Sequence, residues 1–192
     1  QASTDGSPIA VQDQNIGRGG VGATPGTYSG SPTLGLQSPL PRGGTCVGFD
    51  GTNDYIGYFA PSEGPTFNPS LYWSFEAWVW LHASGMGTIR TIWWSCNGSN
   101  PIRVRVSAAD QFIVENGTNT LTDATVRASA TWYHIVVTGQ SASGDWRVYV
   151  NGALAAGPLT PTVTSTAGTD MLFGKPAETP PNTYWFGRMD EI

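Results

Sequence analysis

Residues 132–138 read WYHIVVT, residues 146–150 read WRVYV, and Asn151-Gly152 follows directly. Both runs are rich in β-branched and aromatic side chains, which suit a pleated, half-buried surface. The link at 139–145, GQSASGD, is small and polar. The Asn-Gly step supplies two residues that tolerate positive φ, as a tight hairpin requires. Two more Asn-Gly steps divide strand-like runs. Asn97-Gly98 separates 91–96 from 102–106, and Asn116-Gly117 separates 111–115 from 118–122. Three such turns predict an antiparallel, all-β chain.

Outward from this hairpin the pattern repeats. Residues 46–49 and 55–59 flank a DGTND turn at 50–54. The longest apolar run is 71–81, LYWSFEAWVWL. Phe75, Ala77, Val79 and Leu81 alternate with Trp78 and Trp80, so both parities are apolar; the pattern predicts a strand covered on both faces. Runs at 88–96, 102–108, 171–173 and 184–192 complete a set of about a dozen short strands. A set that size splits into two packed layers, a sandwich or jelly roll. No segment has sustained helical spacing with caps, so very little helix is expected. Residues 1–45 are rich in Gly, Ser, Pro and Thr, with apolar anchors at Ile9, Val11, Tyr28, Leu34, Leu36 and Leu40. They read as an irregular loop wrapping the scaffold.

The totals bound the function. The 192 residues fit one domain, residues 1–192, and a hydrophobic share of 39% fills a sizeable core. Charged residues are only 12% and the net charge is −5, with Lys175 the only lysine. There is no basic patch for phosphates, so nucleic acid is not an expected partner. No apolar run approaches the roughly 20 residues that span a bilayer, so no membrane insertion is expected. Cys46 and Cys96 both lie beside strand-like runs; a cross-sheet disulfide and two buried thiols are both open, the thiols being favoured. Two sequons, at Asn97 and Asn116, coincide with the turns and are better read as turns.

The order of motifs resembles the concanavalin A-like lectin/glucanase superfamily, in its laminin-G-like or pentraxin-like jelly-roll branch. Residues 10–30 (AVQDQNIGRGGVGATPGTYSG) resemble that family's wrapping loop. Residues 31–58 resemble the piece that leads into its Phe-Asp-Gly-x-x-Asp-Tyr strand, here Phe49, Asp50, Gly51, Asp54 and Tyr55. Residues 75–79 resemble its Glu-Ala-Trp-Val strand, 132–138 its Trp-Tyr-His strand, and 148–152 its Tyr-Val-Asn-Gly hairpin. Phe186, Gly187 and 189–192 resemble its closing strand. Two departures, a start inside the wrapping loop and a stop within the closing motif, lead to the expectation of a fragment of a longer chain. The resemblance implies a two-layer antiparallel β-sandwich, and little about activity, because one fold hosts lectins, hydrolases and spacers.

Catalysis by paired acids is disfavoured. A retaining glycosidase needs two carboxyl groups about 5 Å apart. Glu76 has no second acid at i+2 or i+4, and Asp190 and Glu191 are adjacent, so in a strand they face opposite ways. Of the two histidines, His134 reads as a satisfied core residue and His82 as a loop residue. No catalytic residue is assigned. By resemblance, a structural calcium ion would sit at Asp13 and Asp190, with loop carbonyls completing the shell. Asp50, Asn53 and Asp54 form a second candidate cluster, against the reading that they cap a turn. For sugar, the candidate platforms are Trp185, Tyr184, Trp94 and Tyr72, with Trp185 and Tyr72 read as exposed loop aromatics, against the favoured reading that most of the eight tryptophans fill the sandwich.

The leading expectation is a non-catalytic, lectin-like module that binds a cell-surface glycan. It would work beside neighbouring domains or subunits of an extracellular or virion-surface protein. The low lysine content and polar surface fit that setting, and the loop-rich style is similar to domains of bacteriophage tails and fibres. The runner-up is a structural or assembly domain without sugar binding, and the third is a glycoside hydrolase.

Overall fold

The computed structural model describes residues 26–40, 44–59, 72–95, 99–139, 145–162, 170–177 and 183–192. Within them lie β1 (Thr27–Ser29), β2 (Thr33–Gln37), β3 (Thr45–Asp50), β4 (Tyr55–Phe59), β5 (Trp73–Leu81), β6 (Arg90–Ser95) and β7 (Arg103–Val106). The remainder are β8 (Phe112–Asn116), β9 (Asn119–Thr122), β10 (Trp132–Gly139), β11 (Trp146–Val150), β12 (Ala153–Leu159), β13 (Asp170–Phe173) and β14 (Phe186–Asp190). They form two seven-stranded antiparallel sheets. The first runs β1-β4-β13-β6-β7-β8-β9 and the second β12-β11-β10-β5-β14-β3-β2. The fold is thus the expected two-layer sandwich. The only helical element among the described residues is one 3-10 turn at Ala83–Gly85. No described helix is long and apolar enough to cross a membrane.

Period-two burial builds the interior. In β5 the residues Trp73, Phe75, Ala77, Val79 and Leu81 are buried, while Ser74 and Glu76 are exposed. Tyr133, Ile135 and Val137 of β10 and Trp146, Val148 and Val150 of β11 continue that inner layer. The facing sheet contributes Trp93, Val104, Val106, Phe112 and Val114. At the centre Phe75 stacks flat on Trp93 (4.9 Å, 3°), and Trp73 meets Trp146 edge-on (5.9 Å, 79°). Aromatic pairs of this kind add about 0.5–1.5 kcal/mol each beyond the area they bury.

Several expectations are corrected. The stretch 1–45 is not loop throughout: β1 pairs with β4 and β2 with β3, each through short polar or glycine-containing residues that carry little strand signal. β12 also escapes the sequence, because ALAAGPL has weak β propensity; it forms because β11 offers an open edge. Asn151-Gly152 does close the β11–β12 hairpin, with φ of 51° and 80°. The Asn116 turn is shifted by one residue. Asn116 pairs with Asn119, so Gly117-Thr118 makes the loop. The Asn97-Gly98 turn lies outside the described residues. Finally, β5 is covered on one face only: Trp78 and Trp80 are half-buried on the outer side.

Candidate functional site

Among the described residues, the outer face of the second sheet carries a cluster of partly accessible aromatic side chains. Its three central strands place them in register. Trp80 lies opposite Trp132 of β10 on one side and Arg188 of β14 on the other. One row along, Trp78 lies between His134 and Asp190. Directly opposed side chains in such a pair are about 5 Å apart at Cβ, and the two rows are separated by about 7 Å along the strand. The result is a patch of three tryptophans on neighbouring strands, none of them fully buried.

Polar groups are interleaved with the rings. The Arg188 guanidinium lies 4.9 Å from the Trp80 ring centroid, a cation–π contact. His134 stacks on Trp78 at 5.0 Å and 28°, and its Nε2 is 2.8 Å from Oε1 of Glu76. The Glu76 side chain is 64% exposed. His134 is therefore an outer-face residue and not the core residue expected. His82 fits its loop reading: its Nδ1 accepts the Ser84 N–H at 3.1 Å and caps the 3-10 turn. Its ring stacks on Phe186 at 4.1 Å and meets Trp80 edge-on.

The aromatic residues singled out from sequence fall elsewhere. Trp185 is wholly buried (0% exposed) between the layers, with the Arg90 guanidinium 5.9 Å from its ring, so it offers no platform. Trp94 is 6% exposed and flanked by the guanidiniums of Arg103 and Arg105 at 5.4 and 5.8 Å, both of which pair with Glu115. That packing closes its ring faces. Tyr184 is half-buried, and burial first, then neighbouring Tyr55, pushes its phenol up from the ordinary value. Tyr72 is the one that stands clear, at 87% exposed, next to the start of β5.

The structure does bring Asp50, Asn53 and Asp54 together, in a turn. Asp50 Oδ1 accepts the N–H groups of Thr52 (2.7 Å) and Asn53 (3.3 Å). Asp54 is buried, and its two oxygens accept the Ser31 N–H (2.7 Å) and the Asp50 N–H (3.0 Å). Asp50 thus caps the turn, and Asp54 also ties the turn to the segment after β1 through Ser31. Asp190 Oδ2 accepts the Ser38 hydroxyl at 2.5 Å and Oδ1 the Glu191 N–H at 3.0 Å. Asp13, its expected partner, lies outside the described residues. Near Asp190, Cys46 is a buried free thiol that donates to the Gln37 carbonyl at 3.2 Å. Burial and then Asp190 push that thiol up, against a smaller opposing effect of Arg188. Cys96 lies outside the described residues.

The sequence profile of the concanavalin A-like lectin/glucanases superfamily, in its third laminin-G group, matches residues 50–192. The chain belongs to that superfamily. No curated protein matches it in sequence. Among solved structures, domain 4 of a GH43 extracellular arabinanase from Geobacillus stearothermophilus, bound to arabinotriose, gives a TM-score of 0.59 at 16% identity. That match covers 86% of this chain and 79% of the other. A candidate carbohydrate-binding protein from Bacteroides ovatus gives 0.54 at 19% identity over 71% of this chain, which spans 40% of that protein. The enzymatically active domain of tailspike protein 2 from bacteriophage CBA120 gives 0.56 at 12% identity over 85% of this chain, which spans 27% of that one. At identities this low the likeness is one of fold. This superfamily member differs from its sequence-based picture in where its open aromatics sit: Trp78, Trp80 and Trp132 line a sheet face instead of loops. Tryptophan at the non-core parity of β5, where Ser74 and Glu76 also sit, is the sequence signal that marks them.

Proposed function

We propose that this chain is a non-catalytic, lectin-like module that holds a glycan chain against the outer face of its second sheet, as part of a secreted or virion-surface protein. The observation that carries this reading is the in-register set Trp78, Trp80 and Trp132, partly exposed among polar groups. Indole faces accept the C–H side of a pyranose, and the interleaved Glu76, His134 and Arg188 supply hydrogen bonds to its hydroxyls. The arabinotriose bound to the arabinanase domain, and the tailspike setting of another neighbour, support glycan recognition outside the cell.

The test is titration with cellohexaose, laminarihexaose and maltohexaose, read by tryptophan fluorescence and calorimetry. One of them is expected to bind, and Trp80→Ala and Trp132→Ala are each expected to weaken it by about tenfold or more while the melting temperature stays close to wild type. Unchanged affinity in both variants, or no binding by any of the three, would remove the reading. The second reading, an assembly domain, draws on exposed Leu154, which lies opposite Tyr149 and extends the same face in an apolar direction. Concentration-dependent association in the ultracentrifuge would favour it.

Calcium is a separate proposal, centred on Asp190 with Asp13. Asp190→Ala is expected to lower the melting temperature more in calcium buffer than in chelator, where only its bonds to Ser38 and Glu191 are lost. An equal loss in both would assign Asp190 to those bonds alone.

A further inference from the structure

We propose that the aromatic face takes an uncharged glycan and that Glu76 sets this preference, accepting hydroxyl groups beside Trp78. The inference rests on the glycan-binding reading above and narrows its ligand class.

Glu76 is exposed yet fixed in place. Its Oε1 is held by His134 at 2.8 Å, and among the described residues nothing else bonds its carboxylate. His134 is itself held twice, by stacking on Trp78 and by its backbone N–H donating to Asn151 Oδ1 at 2.9 Å in the β10–β11 pair. A pre-set carboxylate at the edge of an indole is suited to hydroxyl donors, because hydrogen bonds to an ionised acceptor are short and strong. The charges around it point the same way. Asp190 lies opposite Trp78 on β14, its carboxylate turned to the Ser38 hydroxyl and the Glu191 N–H. The Arg188 guanidinium is laid on Trp80, and Arg147 on β11 pairs with Asp145 at 3.0 Å. Tyr149 is the remaining titratable group on β11, in the same row as Glu76 with Val136 between them. A sugar carboxylate docked on Trp78 would meet the like charge of the exposed Glu76 carboxylate, within a chain of net charge −5.

The experiment compares each neutral glucose hexasaccharide with its C6-oxidised, glucuronate-bearing counterpart, on wild type and on Glu76→Gln at pH 7. For whichever neutral chain binds best, the oxidised counterpart is expected to bind wild type about tenfold or more weakly. Glu76→Gln is expected to lose about tenfold on the neutral chain and to narrow the gap between the two to under about threefold. Its melting temperature should match wild type, since the side chain is largely exposed. An oxidised chain that binds wild type as tightly as the neutral one overturns the proposal. So do equal affinities of wild type and Glu76→Gln for both ligands. Failure of the broader reading is separable: in that case Trp132→Ala binds like wild type.

Discussion

Trp185→Ala is expected to destabilise the domain by about 3–5 kcal/mol, the usual range for removing a buried tryptophan. For a chain of this length that lowers the melting temperature by roughly 10 °C. The side chain is fully enclosed, and its backbone joins the two layers: the Trp185 N–H donates to the Gly174 carbonyl, and the Gly174 N–H donates to Ile92 of β6. Truncation leaves a cavity between rigid sheets, beside the buried Arg90 guanidinium, whose partner Asp110 lies 2.8 Å away. A loop platform would behave in the opposite way, with binding lost and stability kept. Calorimetric unfolding of the variant decides between them, and a melting temperature within about 2 °C of wild type would contradict the buried placement.

Gly187→Ala is expected to be of similar size or larger. Gly187 has φ of 154°, and a Cβ there would lie 2.0 Å from the Trp80 carbonyl oxygen on the neighbouring strand. The obstacle is backbone, so no side-chain rotation relieves it. The β5–β14 ladder must open, at a cost of about 3 kcal/mol or more. Because Arg188 and Trp80 are carried by those two strands, glycan affinity should fall together with stability. Circular dichroism melts run in parallel with oligosaccharide titration would show it. A variant that folds and binds like wild type would place Gly187 wrongly.

The sequence made the strands legible where period two coincided with β-branched or aromatic residues. β5, β10 and β11 meet that condition, and the Asn151-Gly152 turn marked the end of β11. It did not mark β2 or β12, whose residues are small, polar or partly exposed and which exist by pairing to a stronger neighbour. The site was harder to read. In WSFEAWVW both parities carry large apolar residues, so the run alone does not say which tryptophans are interior. Pairing with β10 resolves it, since Phe75, Ala77 and Val79 share a face with Val137, Ile135 and Tyr133. Trp185 looked like a loop residue because a proline-rich stretch precedes it. Its parity with Gly187 and Met189, all three buried, is the clue that assigns it to the interior.

β14 comes last in sequence among the described strands, yet in space it sits between β3 and β5. During synthesis on the ribosome, its two flanking partners must therefore wait, unjoined, until residues 186–190 emerge. Long-range pairing of that kind slows folding and leaves open edges exposed meanwhile. The domain should accordingly acquire its native shape only after translation has passed this strand, and nascent chains released short of it should be prone to aggregation and turnover.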